Sequence, residues 1–330
     1  MRRKVIVDQD TLGPAGTNLQ AVAMLLNAPD VEVLAITVPT GDHWRDQQIR
    51  HALRLLEIMG RTEVPVAPGA EMPLVNTPAA VAAWEAAHGR LVYNGAWDLA
   101  RPGRWADPRE VRDLPEGNPR SEPGPEAAPE LIVRLARAHP GGISLWCGAP
   151  LTNVALALRL EPRLPALIRE VHLMGGAFAP VTEAREFVQN PRREFNFRFD
   201  PEAARAVLRA PWRRLTCAPI DLSQNVRAAP ELFARITQAA TPLAAYLDRF
   251  GRRDRPLWDE VAAATWIDPS LVTRAERRHL DVETTPGAAW GETLDLPAGA
   301  TGAHGTPAEV QLALDIPRFR ELFVGLCSRP

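Results

Sequence analysis

Short apolar runs rich in β-branched residues alternate with longer amphipathic stretches along this chain, and few architectures accommodate that rhythm. Lys4–Asp8 (KVIVD), Val31–Val38 (VEVLAITV), Ile143–Gly148 (ISLWCG), Val171–Gly176 (VHLMGG) and Leu215–Leu222 (LTCAPIDL) are each followed by or end near Gly, Pro or Asp. Runs so short and so continuously apolar suit strands covered on both faces. Between them, Leu19–Asn27, Arg45–Met59, Ala128–Ala138, Asn153–Leu160, Pro201–Leu208 and Leu232–Phe250 read as amphipathic helices. Strand, helix, strand in alternation predicts an α/β fold, a mostly parallel central sheet with helices on both faces. Arg101–Pro129 interrupts the rhythm with seven prolines among charged residues and glycines. A loop of that length inside a compact domain is either mobile or functional. Gly299–Gly305 is a smaller Gly/Ala-rich loop. Strand signals continue on both sides of each loop and no internal repeat is found, so residues 1–330 are expected to form a single domain.

The 330 residues suffice for a large buried core, and a hydrophobic fraction of 46% with 24% charged residues is an ordinary globular balance. A formal net charge of −2 without a long basic run argues against nucleic acid as a partner, because phosphate neutralisation needs clustered Lys and Arg. No apolar run approaches the length of a membrane span, and the first strand begins too early for a secretion signal. The three cysteines, Cys147, Cys217 and Cys327, are scattered. Buried thiols in a reducing cytoplasm are the expected reading.

In open parallel sheets, ligands bind beyond the carboxyl ends of the strands. The first strand ends in Asp8-Gln9-Asp10, which sends two carboxylates from one strand end. Two acids in one spot share a proton or hold a cation, unless one of them caps the following helix. The Gly-rich turn after them could also cradle an anion on backbone amides, although it lacks the Lys and spacing of a phosphate loop.

KVIVDQD followed by a Gly-containing turn and an apolar helix resembles the start of the inosine–uridine-preferring nucleoside hydrolases. Further segments match in order: Ile36-Thr37 with Thr40-Gly41-Asp42, Arg54–Gly60 with Val64-Pro65-Val66 and Gly69, Pro150–Ala155 and Met174-Gly175-Gly176. Glu194-Phe195-Asn196 with Asp200-Pro201-Glu202-Ala203-Ala204, and then Leu257–Val261, complete the set. Each motif alone is weak, and their shared order and spacing carry the resemblance. It implies metal-assisted hydrolysis of the N-glycosidic bond of a ribonucleoside, releasing base and ribose, with a calcium ion at the bottom of the pocket. It further implies a role in purine or pyrimidine salvage and a homodimer or homotetramer. By the same resemblance Asp10 is the general base on the attacking water and a metal ligand, Asp8 its neighbour, and Asp259 the last carboxylate ligand. Thr152 offers its backbone carbonyl to the metal. Glu194, Asn196 and Asn190, with Asp42, would face the ribose, and Phe195 would be packing.

Three departures qualify that picture. The family's first loop runs Asp-x-Asp-Pro-Gly-x-Asp-Asp, whereas here Asp10 is followed by Thr11-Leu12-Gly13-Pro14-Ala15-Gly16-Thr17-Asn18-Leu19-Gln20. The paired aspartates are gone, and Gln20, or Asn18 if the loop bulges, would supply a neutral oxygen to a weakened calcium site. Trp258 stands where many relatives have His, and Asp42 where they usually have Asn. Trp cannot donate a proton usefully at neutral pH, but its face can stack on a base. Tyr93 and Trp97 could line the base pocket as well, and core packing is the competing reading for all three aromatics. Of the seven histidines only His43 lies near a predicted site, and satisfied or exposed rings are expected throughout. The lost loop carboxylates also leave open a relative that binds a ribosylated ligand or the metal without turnover, and a purely partner-binding domain stands further off.

Overall fold

The computed structural model describes residues 2–329. Nine strands build one sheet: β1 (Arg3–Asp8), β2 (Val31–Val38), β3 (Val66–Pro68), β4 (Ile143–Cys147), β5 (Ile168–Met174), β6 (Leu215–Ala218), β7 (Val272–Val282), β8 (Thr293–Pro297) and β9 (Ala308–Leu314). Their spatial order is β3-β2-β1-β4-β5-β6-β9-β7-β8. The pairings from β3 to β9 are parallel, and only β7 runs against its neighbours β9 and β8. The expected α/β sheet with helices on both faces is therefore what the chain forms.

Alternation along β1 shows how the two faces are covered. Val5 and Val7 point into a core shared with helices Thr17–Asn27, Trp258–Ile267 and Ile316–Cys327, while Ile6 points into the opposite core with helices Ala128–Ala138, Thr152–Leu160 and Pro201–Leu208. The chain leaves β1 toward β2 on one side and returns as β4 on the other. That reversal is a topological switch point, where an open sheet leaves a crevice beyond its carboxyl ends. Asp8 is flanked there in register by Thr37 of β2 and Cys147 of β4.

Two expected elements come out differently. The run Leu215–Leu222 is a strand only to Ala218; Pro219 cannot extend the ladder, and Ile220–Ser223 turns into a short helix. Leu232–Phe250 is two helices, Pro230–Thr237 and Pro242–Phe250, because Thr241 accepts the amide of Ala244 and Pro242 opens a new first turn. The proline-rich segment forms no strand or helix before Ala128, yet it is pinned to helix Arg45–Ile58 and its start. Trp44 donates its indole N–H to the Trp105 carbonyl at 2.7 Å, and Glu116 pairs with buried His51 at 2.5 Å. No helix among the described residues is long and apolar enough to cross a membrane.

Candidate active site

Asp10 emerges from β1 directly over the switch point and is almost wholly buried. Each of its carboxylate oxygens has a donor: the Asn18 side-chain amide at 2.9 Å on Oδ1 and the Asp42 backbone N–H at 2.7 Å on Oδ2. Glycine makes the second contact possible, since a Cβ on Gly41 would lie 2.1 Å from Oδ2. Burial, with the charge of Asp42 next and then that of Asp259, raises the Asp10 carboxyl well above the usual carboxylate range. Asp259, in the first turn of helix Trp258–Ile267, accepts the Gln9 side-chain amide at 3.0 Å, and burial beside Asp42 and Glu194 lifts it to about 7. A Cβ on Gly148 would lie 2.7 Å from Gln9 and 2.8 Å from Asp259, so this close approach again needs glycine. Asp42 is half-buried, takes the Tyr93 hydroxyl at 2.5 Å, and is also raised by burial.

Asp8 is held apart from this trio. Thr37 at 2.5 Å and Asn153 at 2.7 Å both donate to its Oδ1, while its Oδ2 is buried without a partner. Burial pushes it up to about 6. Thr152 opens helix Thr152–Leu160, and its hydroxyl donates to Asp200 at 2.6 Å. The altered loop separates its two candidates. Asn18 faces Asp10 and donates to it at 2.9 Å, whereas the Gln20 amide turns back to the Ala15 carbonyl at 2.9 Å. Gln20 thus forms no bond to the acidic cluster, because two residues of helix beyond Asn18 rotate its side chain by about 200° to another face. Glu260 is buried next to Asp259 and takes the Thr17 hydroxyl, which ties the loop to the same helix.

The remaining expected residues divide sharply. Glu194 caps the helix Phe195–Phe199, with Oε1 accepting from Asn196 at 2.8 Å and Oε2 from Phe197 at 3.1 Å and Gly176 at 2.9 Å. Asn196 donates to the Met174 carbonyl at 3.1 Å, at the end of β5. Asn190 has no bond to the cluster and its side-chain oxygen is buried unpartnered. The half-buried Trp258 immediately precedes Asp259 and is fixed by its indole N–H on Gln224 at 2.8 Å. Trp97 packs on Phe199, ring centroids 4.3 Å apart, which makes it part of an aromatic cluster with Phe195. His43 has both ring nitrogens engaged, by the Gly103 carbonyl and the Trp44 amide, and burial lowers it to about 4. His172 departs from expectation: it is buried, yet its Nε2 has no partner.

Sequence reasoning missed Gln9, which bridges the Asp10 backbone amide and Asp259, and Asn153, which holds Asp8. A buried strand-end Gln between two aspartates was the available signal for the first. It also missed Arg101 and Arg104, which come from the proline-rich segment and whose charge favours ionised Asp42. Glu186, from the helix Arg185–Gln189, is lifted by burial to about 7 and feels Arg198, Glu194 and Asp42.

The chemistry open to this arrangement is that of a cation or proton shared between carboxylates. Among the described residues no three acidic, His or Cys side chains converge tightly enough to hold a metal by themselves. The donor set is nonetheless all oxygen, with Asp10, Asp42 and Asp259 within electrostatic reach, and the Asn18 oxygen is buried without a partner. Hard oxygens of this kind, completed by a backbone carbonyl and water, fit calcium.

Comparison with known proteins bears directly on this geometry. The family model described as inosine-uridine preferring nucleoside hydrolase matches residues 5–321. The inosine-uridine preferring nucleoside hydrolase of Crithidia fasciculata is 30% identical, over 100% of this chain and 98% of that protein. A pyrimidine-specific ribonucleoside hydrolase of Shewanella woodyi is 29% identical, over 96% of this chain and 95% of its own length. Among solved structures, an inosine-guanosine nucleoside hydrolase superposes with a TM-score of 0.80 at 22% identity, covering 100% of both chains.

Proposed function

The chain belongs to the inosine-uridine preferring nucleoside hydrolase family, N-glycosyl hydrolases of ribonucleosides, and we propose that its reaction runs at the Asp10 cluster with Asp10 as general base. One observation carries the assignment: Asp10 is the carboxylate at the switch point whose two oxygens are both aimed by donors, beside Asp42 and Asp259. A carboxylate with a raised pKa is a stronger base once ionised, and general-base catalysis works best with a pKa near the working pH. Ionising three neighbouring buried acids together calls for a compensating cation. Asp10, Asp259, Asn18 and the Thr152 carbonyl would hold calcium, with Asp8 nearby on β1 held by Thr37 and Asn153. A calcium ion held there would supply Lewis acidity toward a water and the ribose hydroxyls.

The other residues supply position and electrostatics. As the base departs the sugar becomes oxocarbenium-like, and the carboxylates around it stabilise that positive charge. Asn196, whose amide is committed to Met174, presents its oxygen to a ribose hydroxyl. Glu194 shapes the ribose side by holding Gly176 and the Asn196 turn in place, and Asn190 would be a further ribose contact. Trp258, anchored through Gln224, would offer a ring face to the base, with Tyr93 and Trp97 as further candidates to line its pocket. The relatives act on purine and pyrimidine nucleosides alike by their names, so the base stays open. The setting we infer is purine or pyrimidine salvage in the cytoplasm, in keeping with three free buried cysteines, by a homodimer or homotetramer that light scattering would size.

The test is ribose release from inosine, guanosine, uridine and cytidine, with calcium and with a chelator. Asp10→Asn should stay folded, as circular dichroism reads it, and lower turnover about 10²-fold or more, as loss of a general base commonly does. Unchanged turnover in that variant sinks the assignment, and chelator-insensitive turnover of the unaltered protein sinks the calcium reading.

A further inference from the structure

Asp10 is placed by a turn from another part of the chain. Its Oδ2 accepts the Asp42 backbone N–H at 2.7 Å, and a Cβ on Gly41 would lie 2.1 Å from that oxygen. The carboxylate therefore rests against the Gly41–Asp42 backbone and can be no better placed than that backbone is. The turn is gripped at two points by one further segment, residues 93–96. The Tyr93 hydroxyl donates to Asp42 Oδ1 at 2.5 Å, and the Ala96 N–H donates to the Gly41 carbonyl at 2.9 Å. Between them Gly95 sits at φ 55°, where an added Cβ would meet the Gly41 carbonyl oxygen at 2.4 Å, so the approach needs glycine. The gripping segment is itself fixed. Arg198 donates to the Tyr93 carbonyl at 2.6 Å, and Arg104 donates to the Gly95 carbonyl at 3.1 Å. The Tyr93 ring meets Phe195 edge-on with centroids 4.9 Å apart, and the Arg101 guanidinium lies 4.7 Å from the Tyr93 ring centroid.

We propose that Tyr93 is a positioning residue for the reaction: its hydroxyl fixes the Asp42 side chain and, through the Asp42 backbone N–H, the Asp10 carboxylate. This rests on the reading of Asp10 as general base. Asp42 lies between β2 and helix Arg45–Ile58, outside both, so neither a ladder nor a helix restrains its main chain. A hydroxyl that anchors the side chain limits how far the peptide N–H can swing. The limit matters because a reacting group displaced by about 1 Å can cost about 10²-fold in rate. Packing and positioning are separable at this residue. Removing the hydroxyl alone leaves the ring with its contacts to Phe195 and Arg101, whereas removing the Asp42 carboxylate breaks the same link from its other end. The arrangement also gives the start of the proline-rich segment a task, since Arg101 and Arg104 brace the residues that brace the turn.

Ribose release and amide hydrogen exchange are measured on the unaltered protein, Tyr93→Phe, Asp42→Ala and the double variant, with circular dichroism to confirm that each is folded. Tyr93→Phe should lower kcat about tenfold while KM stays within about twofold, because the hydroxyl acts on the base and not on the substrate. Exchange in a peptide spanning Thr40–His43 should quicken in the same variant, since the turn has lost an anchor. The double variant should be no slower than Asp42→Ala alone, because both changes break one link. Unaltered kcat or unaltered exchange in Tyr93→Phe overturns the proposal. A rise in KM alone does so too and makes the hydroxyl a base-pocket group, and losses that multiply in the double variant show that Tyr93 acts without Asp42. In each of these cases Asp10→Asn is still slow and the general-base reading stands. Full turnover by Asp10→Asn overturns that reading and this inference with it.

Discussion

Asp259→Asn should make the metal-free protein more stable while abolishing its activity. Asp259 is 3% exposed, and burial beside Asp42 and Glu194 lifts its carboxyl from 3.8 to about 7. The folded state therefore binds a proton there more tightly than the unfolded chain does. With more protons bound in the native state, stability falls as pH rises from about 4 through about 7. A displacement of roughly three pH units corresponds to about 4 kcal/mol, fully felt above the folded pKa. Asn carries no titratable charge, and its Oδ1 can still accept the Gln9 amide that Asp259 accepts at 3.0 Å. In chelator at about pH 8 the variant should then melt roughly 6 °C above the unaltered protein, from the unfolding entropy of a chain this long. The difference should fade toward pH 4, where the wild-type carboxyl is protonated in both states. Calorimetric melting in chelator across that range reads the effect. A variant less stable than wild type at pH 8, or one whose gain does not change with pH, refutes the reasoning that these carboxylates are held against their own electrostatics for the sake of a ligand.

Two further outcomes follow from the site. Trp258→Ala should raise KM for nucleosides while the fold persists; a collapse of the melting temperature with unaffected kinetics would make Trp258 a core residue held by Gln224. Gln20→Asp should leave calcium affinity unchanged or reduce stability, because Gln20 bonds the Ala15 carbonyl and not the cluster; a clear tightening of calcium in that variant would contradict the position of its side chain.

Much of the fold was legible because its central strands are buried on both faces. A strand covered on both sides has to be apolar throughout, and β1, β2 and β4 carry that signature in their residues alone. β7 was not legible: VTRAERRHLDV is largely exposed, so nothing in its composition marks a strand. It exists because β9 and β8 lend it backbone partners. The break inside Leu232–Phe250 was visible as Thr241-Pro242 but was outweighed by apolar periodicity on both sides.

The site divides in the same way. Motif order in the sequence nominated Asp8, Asp10, Thr152, Asp259, Glu194 and Asn196 as candidates, because residue type is carried by the chain itself. What each side chain faces was decided only by the assembled sheet. Whether Asn18 or Gln20 meets the acids depends on where the lengthened loop enters its helix, and two residues of helix rotate a side chain by more than half a turn. Whether Asp42 contacts ribose or Asp10 depends on a backbone approach that Gly41 permits and no neighbouring residue encodes. Residue type is local, so the chain could declare its chemistry; distance between Asp10, Asp42 and Asp259 joins three segments far apart in sequence, and only packing sets it.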